Sequence, residues 1–462
     1  MDTIDKHIVA IDLGTSKIAL TVAKVEGNDV QIVYYRETPS AGIRYSSVFN
    51  VKNVTEALAS AISQAEDELN IKITQAVVGM PKYPVRKVNA NAEIDGRGED
   101  TDITEEDIDA LKSFAQDSYP LEDVEKEAIF GAVAQSFSDG ENFQIIEQDI
   151  VGMTSDVLEG NFKIFIGKKS DLSKVDQVMN RCGVAAIHKF FTADTTAKAV
   201  LNSSEMENGV ALVDFGAGCT SVSIYHGNIM RHYASIPFGG KNITDDIKSE
   251  AQISARLAEN IKLAFGACMP DKLQSLSEKV IQIRSNCSEG DKSISVKYLS
   301  EIITARVEEI MMAVLYEIEN SGFADMLRSG NICNFINDIS GYKVGTGYPK
   351  HLFSHQGCEG LTDTTASTSI GLLLAAKNTA NVNCIIANED PAETETTVTV
   401  ETADPDDDKE RDLWGNVVET PVEPVNPKSK TPKVDPEKKP AKTPKWKEWV
   451  DDLFNSMNDD NV

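Results

Sequence analysis

The chain has 462 residues, 41% of them hydrophobic, with seven scattered cysteines and a formal net charge of −28. The length allows two to four domains, and so large a negative charge argues against nucleic acid as a partner because phosphates would be repelled. There is no Cys-x-x-Cys pair, no apolar run of ~18 residues and no N-terminal signal pattern, which argues against metal or disulfide frameworks, membrane spans and secretion.

A phosphate-binding pattern opens the chain. Residues 8–17 read Ile-Val-Ala-Ile-Asp-Leu-Gly-Thr-Ser-Lys, an apolar strand ending in Asp, followed by a Gly turn with hydroxyl side chains. Gly lets the backbone approach an anion, and consecutive N–H groups with hydroxyls cradle phosphate oxygens. Apolar spacing predicts a strand meander over 8–12, 18–25 and 30–37. The candidate phosphate-binding residues here are Asp12, Gly14, Thr15, Ser16 and Lys17, although Lys17 could equally cap a surface.

An α/β layer and a small insertion follow. Apolar residues keep a helical period over 51–69, and 74–79 reads as a buried strand. Residues 84–164 change character, and we interpret them as a small inserted α+β subdomain. The predicted elements of the insert are a helix over 102–115 and strands over 127–136, 143–148 and 161–167.

The hairpin pattern then appears a second time. After predicted elements over 172–182, 185–191 and 194–201, residues 210–224 repeat the order of apolar strand, Asp, Gly turn and apolar strand. Asp12 and its counterpart Asp214 can each hold Mg²⁺ through water, and two facing hairpins would grip one nucleoside triphosphate. The second set of candidate residues is Asp214, Gly216, Ala217, Gly218, Cys219 and Thr220, with Cys219 standing where a hydroxyl would help.

The pattern continues as strand and helix to about residue 387. We predict a third strand over 231–237, helices within 241–265, strand-like stretches over 279–284 and 293–297, and an amphipathic helix over 298–320.

The last 75 residues differ in composition. Nine of the sixteen prolines lie between Pro391 and Pro444 among Glu, Asp, Thr and Lys, which predicts a disordered linker over 388–444. The terminal helix 445–462 could dock on its own domain, but its tryptophans and neighbouring lysines favour a membrane interface. Its apolar face consists of Trp446, Trp449, Val450, Leu453, Phe454 and Met457.

Together these motifs resemble the FtsA family of bacterial cell-division proteins, actin-like membrane tethers for the tubulin-like FtsZ. Besides the two hairpins, residues 236–247 (Ile-Pro-Phe-Gly-Gly-Lys-Asn-Ile-Thr-Asp-Asp-Ile) are similar to the Gly-Gly segment of that family. Residues 258–266 resemble the helix whose Glu and Lys reach the nucleoside, and 365–374 the last helix of the fold. The resemblance adds Gly239, Gly240, Glu259 and Lys262 to the nucleotide site, although a tight turn and a surface ion pair would also explain these residues.

The resemblance implies a two-lobed actin-like, duplicated ribonuclease H-like α/β ATPase fold with an inserted small α+β subdomain. One departure stands out: between Asn320 and Ile332 we find neither the strand nor the glycine-rich turn that should pack on the adenine. The implied segments are lobe 1 over 1–83 and 165–200, the insert over 84–164, lobe 2 over 201–236 and 298–365 with its outer subdomain over 237–297, the closing helix over 366–387, the linker over 388–444 and the membrane helix over 445–462.

The function implied is that of a cell-division protein on the cytoplasmic side of the inner membrane. It would bind ATP with Mg²⁺, polymerise, recruit the FtsZ C-terminal tail and later division proteins, and hydrolyse ATP slowly at most. Two alternatives stay open. A nucleotide-free scaffold would suit the missing strand, and an ATP-dependent small-molecule kinase would share the hairpins but would not need a tethered terminal helix.

Overall fold

The structure, a computed structural model, describes part of the chain: residues 6–96, 98, 101–273, 278–283, 292–324, 344–350, 352–355, 357–377, 379 and 382–387. The chain divides into two units, Met1–Asn388 and Glu389–Val462. The whole second unit lies outside the described residues, and so does Asn388. The predicted linker over 388–444 and the predicted terminal helix over 445–462 are therefore not described. Residues 325–332, in the stretch that lacks the expected strand, also lie outside. Those predictions stay predictions.

Strands and helices alternate along the first unit. The strands are β1 (Lys6–Leu13), β2 (Lys17–Glu26), β3 (Asp29–Pro39), β4 (Ile43–Arg44), β5 (Ser47–Val48), β6 (Ile71–Ile73), β7 (Gln75–Gly79), β8 (Val85–Ile94), β9 (Glu127–Ser138), β10 (Leu158–Lys168), β11 (Ala185–Phe190), β12 (Val210–Phe215), β13 (Thr220–His226), β14 (Ile229–Ile236), β15 (Val280–Ile283), β16 (Lys292–Ser295), β17 (Ser354–His355) and β18 (Ile385–Ala387). The helices are α1 (Val51–Leu69), α2 (Glu105–Asp117), α3 (Glu147–Ile150), α4 (Lys169–Arg181), α5 (Thr192–Val200), α6 (Ser203–Asn208), α7 (Gly240–Ala251), α8 (Ala255–Phe265), α9 (Val296–Asn320) and α10 (Ser367–Lys377).

The first sheet has the strand order β11-β7-β1-β2-β3-β17. β1, β2 and β3 form an antiparallel meander, whereas β7 runs parallel to β1 and β11 parallel to β7. Helix α1 begins at Asn50, whose side chain accepts a hydrogen bond from the Asn53 N–H at 3.2 Å. Its apolar face, with Val54 and Leu58 fully buried, packs into the same core as the sheet. The predicted meander and the 51–69 helix are confirmed.

The insert is an antiparallel sheet, β8-β10-β9, covered by α2. Helix α2 starts with a capping box, in which Thr104 and Asp107 each bind the backbone N–H of the other. The sequence predicted no strand over the residues of β8, which supplies one edge of this sheet and pairs with β10 along its whole length.

The strand predicted over 143–148 is wrong. Ile145 makes only an isolated bridge to Phe137, with N–H to O distances of 2.8 and 3.0 Å. The chain then forms the single helical turn α3, which brings Ile150 into the core of the insert and leaves Phe143 exposed. The turn buries an apolar side chain just beyond the predicted strand, and this contact outweighs the local alternation of apolar residues.

The second sheet, β12-β13-β14, is antiparallel throughout. Helices α7, α8 and α9 share a separate core with the small hairpin β15-β16, built on Ile243, Ile247, Ile261, Leu299 and Ile303. The structure confirms the predicted hairpin, third strand and long helix, with α9 beginning two residues earlier because Ser295 caps it.

Helix α10 closes the first unit. Ile370, Leu372 and Leu373 are buried in the core of the first sheet. Where α10 crosses α5, a Cβ added at Gly371 would lie 2.5 Å from the Thr195 carbonyl oxygen, so this crossing requires glycine. Among the helices of the described ranges, none combines the length and apolar character of a transmembrane span.

Candidate functional site

The turns of the two hairpins meet face to face. One turn links β1 to β2 and the other links β12 to β13. A Cβ added at Gly218 would lie 2.5 Å from the hydroxyl oxygen of Thr15 and 2.9 Å from its methyl carbon. A larger residue at 218 would push the turns apart, so glycine permits their close approach. Two segments that are about 200 residues apart in sequence therefore lie side by side.

The second turn rests on the start of helix α7. The Gly240 N–H donates to the Gly216 carbonyl at 2.9 Å, and the Lys241 N–H donates to the Ala217 carbonyl at 2.8 Å. The buried Thr220 hydroxyl donates to the Phe238 carbonyl at 2.8 Å, which ties β13 to the same segment. The positive end of the α7 dipole therefore lies beside the turn, a placement that favours a bound anion.

Glu259 and Lys262 on α8 are tied to this helix start. The Lys262 ammonium donates to the Gly240 carbonyl at 2.9 Å and to the Thr244 hydroxyl at 2.8 Å, and pairs with Glu259 at 2.8 Å. The Thr244 hydroxyl in turn donates to the Glu259 carboxylate. The pair is thus part of a network that reaches the Gly239–Gly240 turn.

A lysine that the sequence analysis did not identify lies between the two aspartates. Lys82 follows strand β7, and its ammonium pairs with the Asp214 carboxylate. Burial raises the pKa of Asp12, against the opposing effect of the Lys82 charge. Burial alone would lower the pKa of Lys82, yet the carboxylates of Asp214 and Asp12 raise it above its ordinary value. One ammonium thus balances two carboxylates at the centre of the site.

Two predicted residues make their direct contacts elsewhere, although the charge of Lys17 still acts on Asp12 and opposes the rise of its pKa. The Lys17 ammonium pairs with Glu37 and donates to the Thr365 carbonyl at 3.0 Å, on the other side of the β1–β2 turn. Cys219 is buried, and burial raises the pKa of its thiol to about 12, so it stays protonated at neutral pH. The Ser16 carbonyl is used by the Ser40 N–H at 3.0 Å.

The residues present suit phosphate better than a metal ion. Turn amides and the Thr15 hydroxyl are donors for a polyphosphate. The start of α7 contributes electrostatic attraction through its dipole, since its Gly240 and Lys241 N–H groups already donate to the second turn. A hydrated Mg²⁺ between Asp12 and Asp214 does not fit the arrangement as it stands, because Lys82 already pairs with Asp214. Nowhere in the described ranges do three His, Cys, Asp or Glu side chains cluster as metal ligands would.

The two sheets, their hairpins and the inserted subdomain define a protein of the actin-like α/β fold class, as predicted. A solved structure described as a PilM-PilN type IV pilus biogenesis complex matches 80% of this chain and 99% of its own, with a TM-score of 0.55 and 13% identity. At that identity the match shows the fold alone.

The particular relatives are cell-division proteins. A family model for cell division protein FtsA matches residues 211–371, which include the second hairpin, α7 and α8. FtsA from Neisseria meningitidis is 28% identical over 81% of this chain and 91% of its own, and FtsA from Pseudomonas aeruginosa is 26% identical over 80% and 89%. FtsA from Bacillus subtilis is 24% identical over 81% and 84%. The predicted resemblance is confirmed: the chain is similar to FtsA cell-division proteins over most of its length.

Proposed function

We propose that this chain binds ATP between its two hairpins, polymerises, and tethers FtsZ filaments to the cytoplasmic side of the inner membrane at the division site. The close approach of the two turns at Thr15 and Gly218 is the observation that supports nucleotide binding. Similarity to FtsA proteins over about four fifths of the chain supports the role in division. The sequence of 445–462 supports the attachment to lipid, and later division proteins would be recruited by the polymer.

The chemistry proposed for the site is mainly binding. Phosphates would receive hydrogen bonds from the turn amides and electrostatic attraction from the start of α7, and Glu259 and Lys262 would contact the nucleoside. Any hydrolysis would be slow, because Asp12 and Asp214 face the Lys82 ammonium rather than a water that they could activate.

Lys262→Met tests the nucleotide site. We expect the variant to bind ATP about tenfold more weakly than the parent, since a hydrogen bond from a charged group contributes roughly 1.5 kcal/mol or more. Binding of inorganic triphosphate should stay within about threefold, because Lys262 is assigned to the nucleoside and not to the phosphates. Calorimetry with both ligands measures these affinities.

A lysine outside the site provides the control. Lys248 is an exposed residue in the last turn of α7, and Lys248→Met removes the same charge at a distance from the hairpins. It should bind both ligands as the parent does. Undiminished ATP binding by Lys262→Met would remove Lys262 from the site, and no ATP binding by the parent would favour a nucleotide-free scaffold of the same fold.

The nucleotide-free scaffold remains the second candidate because of one observation. The Lys82 ammonium already neutralises charge between the lobes through its pair with Asp214, so the lobes are joined there by the chain itself. The calorimetric experiment decides between the two candidates.

For FtsZ we propose a groove on the outer part of the second lobe. Its volume is about 320 Å³, and it runs between helix α8 and the β15-β16 hairpin. Apolar side chains dominate it, and Phe265 in its wall is 49% exposed. An exposed apolar groove beside a sheet edge suits a short peptide segment, and similarity to FtsA makes the FtsZ C-terminal tail the segment we propose.

Phe265→Lys should weaken binding of an FtsZ tail peptide by about tenfold or more, because it places a charge in the apolar wall. Leu263→Lys is the matched control, since Leu263 is 75% exposed on the same helix and does not line the groove. Fluorescence anisotropy with a labelled peptide measures both. Equal losses in the two variants, or none in either, would place the tail elsewhere.

A further inference from the structure

Lys82 is held so that its ammonium reaches across the cleft. Its backbone N–H donates to the Ser46 hydroxyl at 3.1 Å, and its carbonyl accepts from the Tyr233 hydroxyl at 2.9 Å. Ser46 in turn uses its own N–H to bind the Thr15 hydroxyl at 3.1 Å. The first hairpin turn and β14 of the second sheet therefore fix the backbone from which the side chain extends.

The ammonium occupies the position between the lobes where two carboxylates converge. It pairs with Asp214, from the end of β12, and interacts electrostatically with Asp12, from the end of β1. The side chains of Lys82 and Asp214 are only 16% and 28% exposed. The Thr368 hydroxyl of α10 lies 3.5 Å from the same ammonium. This is a partly buried charge network and not an exposed surface ion pair, which would contribute little.

A lysine ammonium and a hydrated divalent ion are alternative solutions to the same electrostatic problem. Two carboxylates that repel each other are stabilised by positive charge, which a compact ammonium can supply as a point charge. Mg²⁺ supplies it too, but requires octahedral oxygen ligands and several waters. With Lys82 on Asp214, the chain itself already provides the positive charge.

We propose that the Lys82 ammonium takes the place of a divalent cation between Asp12 and Asp214, so that a phosphate-bearing ligand binds this cleft without Mg²⁺. Binding of a phosphate-bearing ligand without Mg²⁺ rests on the proposed nucleotide site. The replacement of the cation by Lys82 does not depend on that site. Two measurements on the full chain separate them.

The first measurement uses Mn²⁺ as a spectroscopic probe in the absence of nucleotide. The parent chain should show no Mn²⁺ site that depends on Asp214. Lys82→Met should gain one such site, because two partly buried carboxylates lose the Lys82 charge, and adding Asp214→Asn should remove it. Lys82→Arg keeps the charge and should gain none.

Lys189→Met is the matched control, since Lys189 forms an ion pair with Asp176 at 2.7 Å that involves neither Asp12 nor Asp214. It should gain no Mn²⁺ site. The inference is overturned if the parent itself binds Mn²⁺ in an Asp214-dependent manner, or if folded Lys82→Met gains no site. Should Lys82→Met not fold, Lys82→Gln takes its place, and the result for the parent chain is decisive without either variant.

The second measurement compares ATP affinity in Mg²⁺ with that in EDTA. The parent should change by less than about threefold, whereas Lys82→Met should lose about tenfold or more in EDTA and recover with Mg²⁺. Loss of parent ATP binding in EDTA contradicts metal-independent binding. If the parent binds no ATP under either condition, the proposed nucleotide function fails, and the Mn²⁺ result still decides the role of Lys82.

Discussion

Trp449→Glu and Phe454→Glu variants of the full chain are expected to stay in the soluble fraction of a liposome flotation assay, whereas the parent floats with the vesicles. Both residues lie on the apolar face of the predicted terminal helix. An aromatic ring that leaves the lipid interface gives up roughly 2–4 kcal/mol at ~25 cal/mol per Å², which is a loss of at least ~30-fold in affinity. A carboxylate in its place is itself repelled by anionic lipid.

The Asn455→Glu variant distinguishes the loss of an apolar side chain from the effect of an added negative charge. At 100° per residue, position 455 lies about opposite the centre of the apolar face, so this variant adds the same carboxylate to the polar side. It should float almost as the parent does. If Trp449→Glu and Phe454→Glu also float as the parent does, the helix docks on protein and the membrane role of 445–462 is wrong.

Gly371→Ala is expected to lower the free energy of unfolding of the first unit by about 3 kcal/mol. The added methyl group would lie 2.5 Å from the Thr195 carbonyl oxygen and 2.6 Å from its carbon, both backbone atoms that no rotamer change can move. Helix propensity alone would favour Ala over Gly by up to ~1 kcal/mol. A lower free energy of unfolding would therefore support the close α5–α10 crossing, and a higher one would contradict it.

Gly131→Ala is the matched substitution. Neither glycine has a positive φ, but a Cβ at Gly131 would meet only the Phe191 Cβ at 3.6 Å, an ordinary contact. Urea denaturation followed by circular dichroism should show a change within about 1 kcal/mol for this variant. A Gly371→Ala variant as stable as the parent would contradict the close helix crossing.

Local patterns predicted most of the elements, because the spacing of apolar residues that marks a strand or a helix is visible within one short segment. The 51–69 helix and the two hairpins are examples, since their burial follows the sequence period directly. The 143–148 strand failed because its competing turn, α3, is decided by the core position of Ile150, several residues away. The missed strand β8 does alternate, with Val88, Ala90, Ala92 and Ile94 on one face, but two of these four residues are alanines, whose hydrophobicity is small.

The candidate site was predictable only where its functional residues lie together in one short segment of the sequence. Each hairpin shows its Asp, Gly and hydroxyl residues in one run, and the structure brings the two turns together. Lys82 has no such signal, because its role depends on Asp12 and Asp214, which are distant in sequence and approach it only in the folded chain. The single hint was its place directly after a buried strand. Lys17, by contrast, has the right spacing but pairs with Glu37.

The last described strand, β18, determines how the chain would withstand a pull. It pairs antiparallel with β6, and just before it the Cys384 N–H donates to the His7 carbonyl at 2.8 Å while the Cys384 carbonyl accepts from Thr74 and Gln75 at 3.0 and 3.2 Å. Tension from a lipid-bound terminus would enter the folded unit here. Antiparallel hydrogen bonds lie across the strand direction, so a pull along β18 strains all of them at once. If the chain polymerises and binds lipid as proposed above, a filament that grows or shrinks would therefore pull on its membrane attachment without separating the sheets.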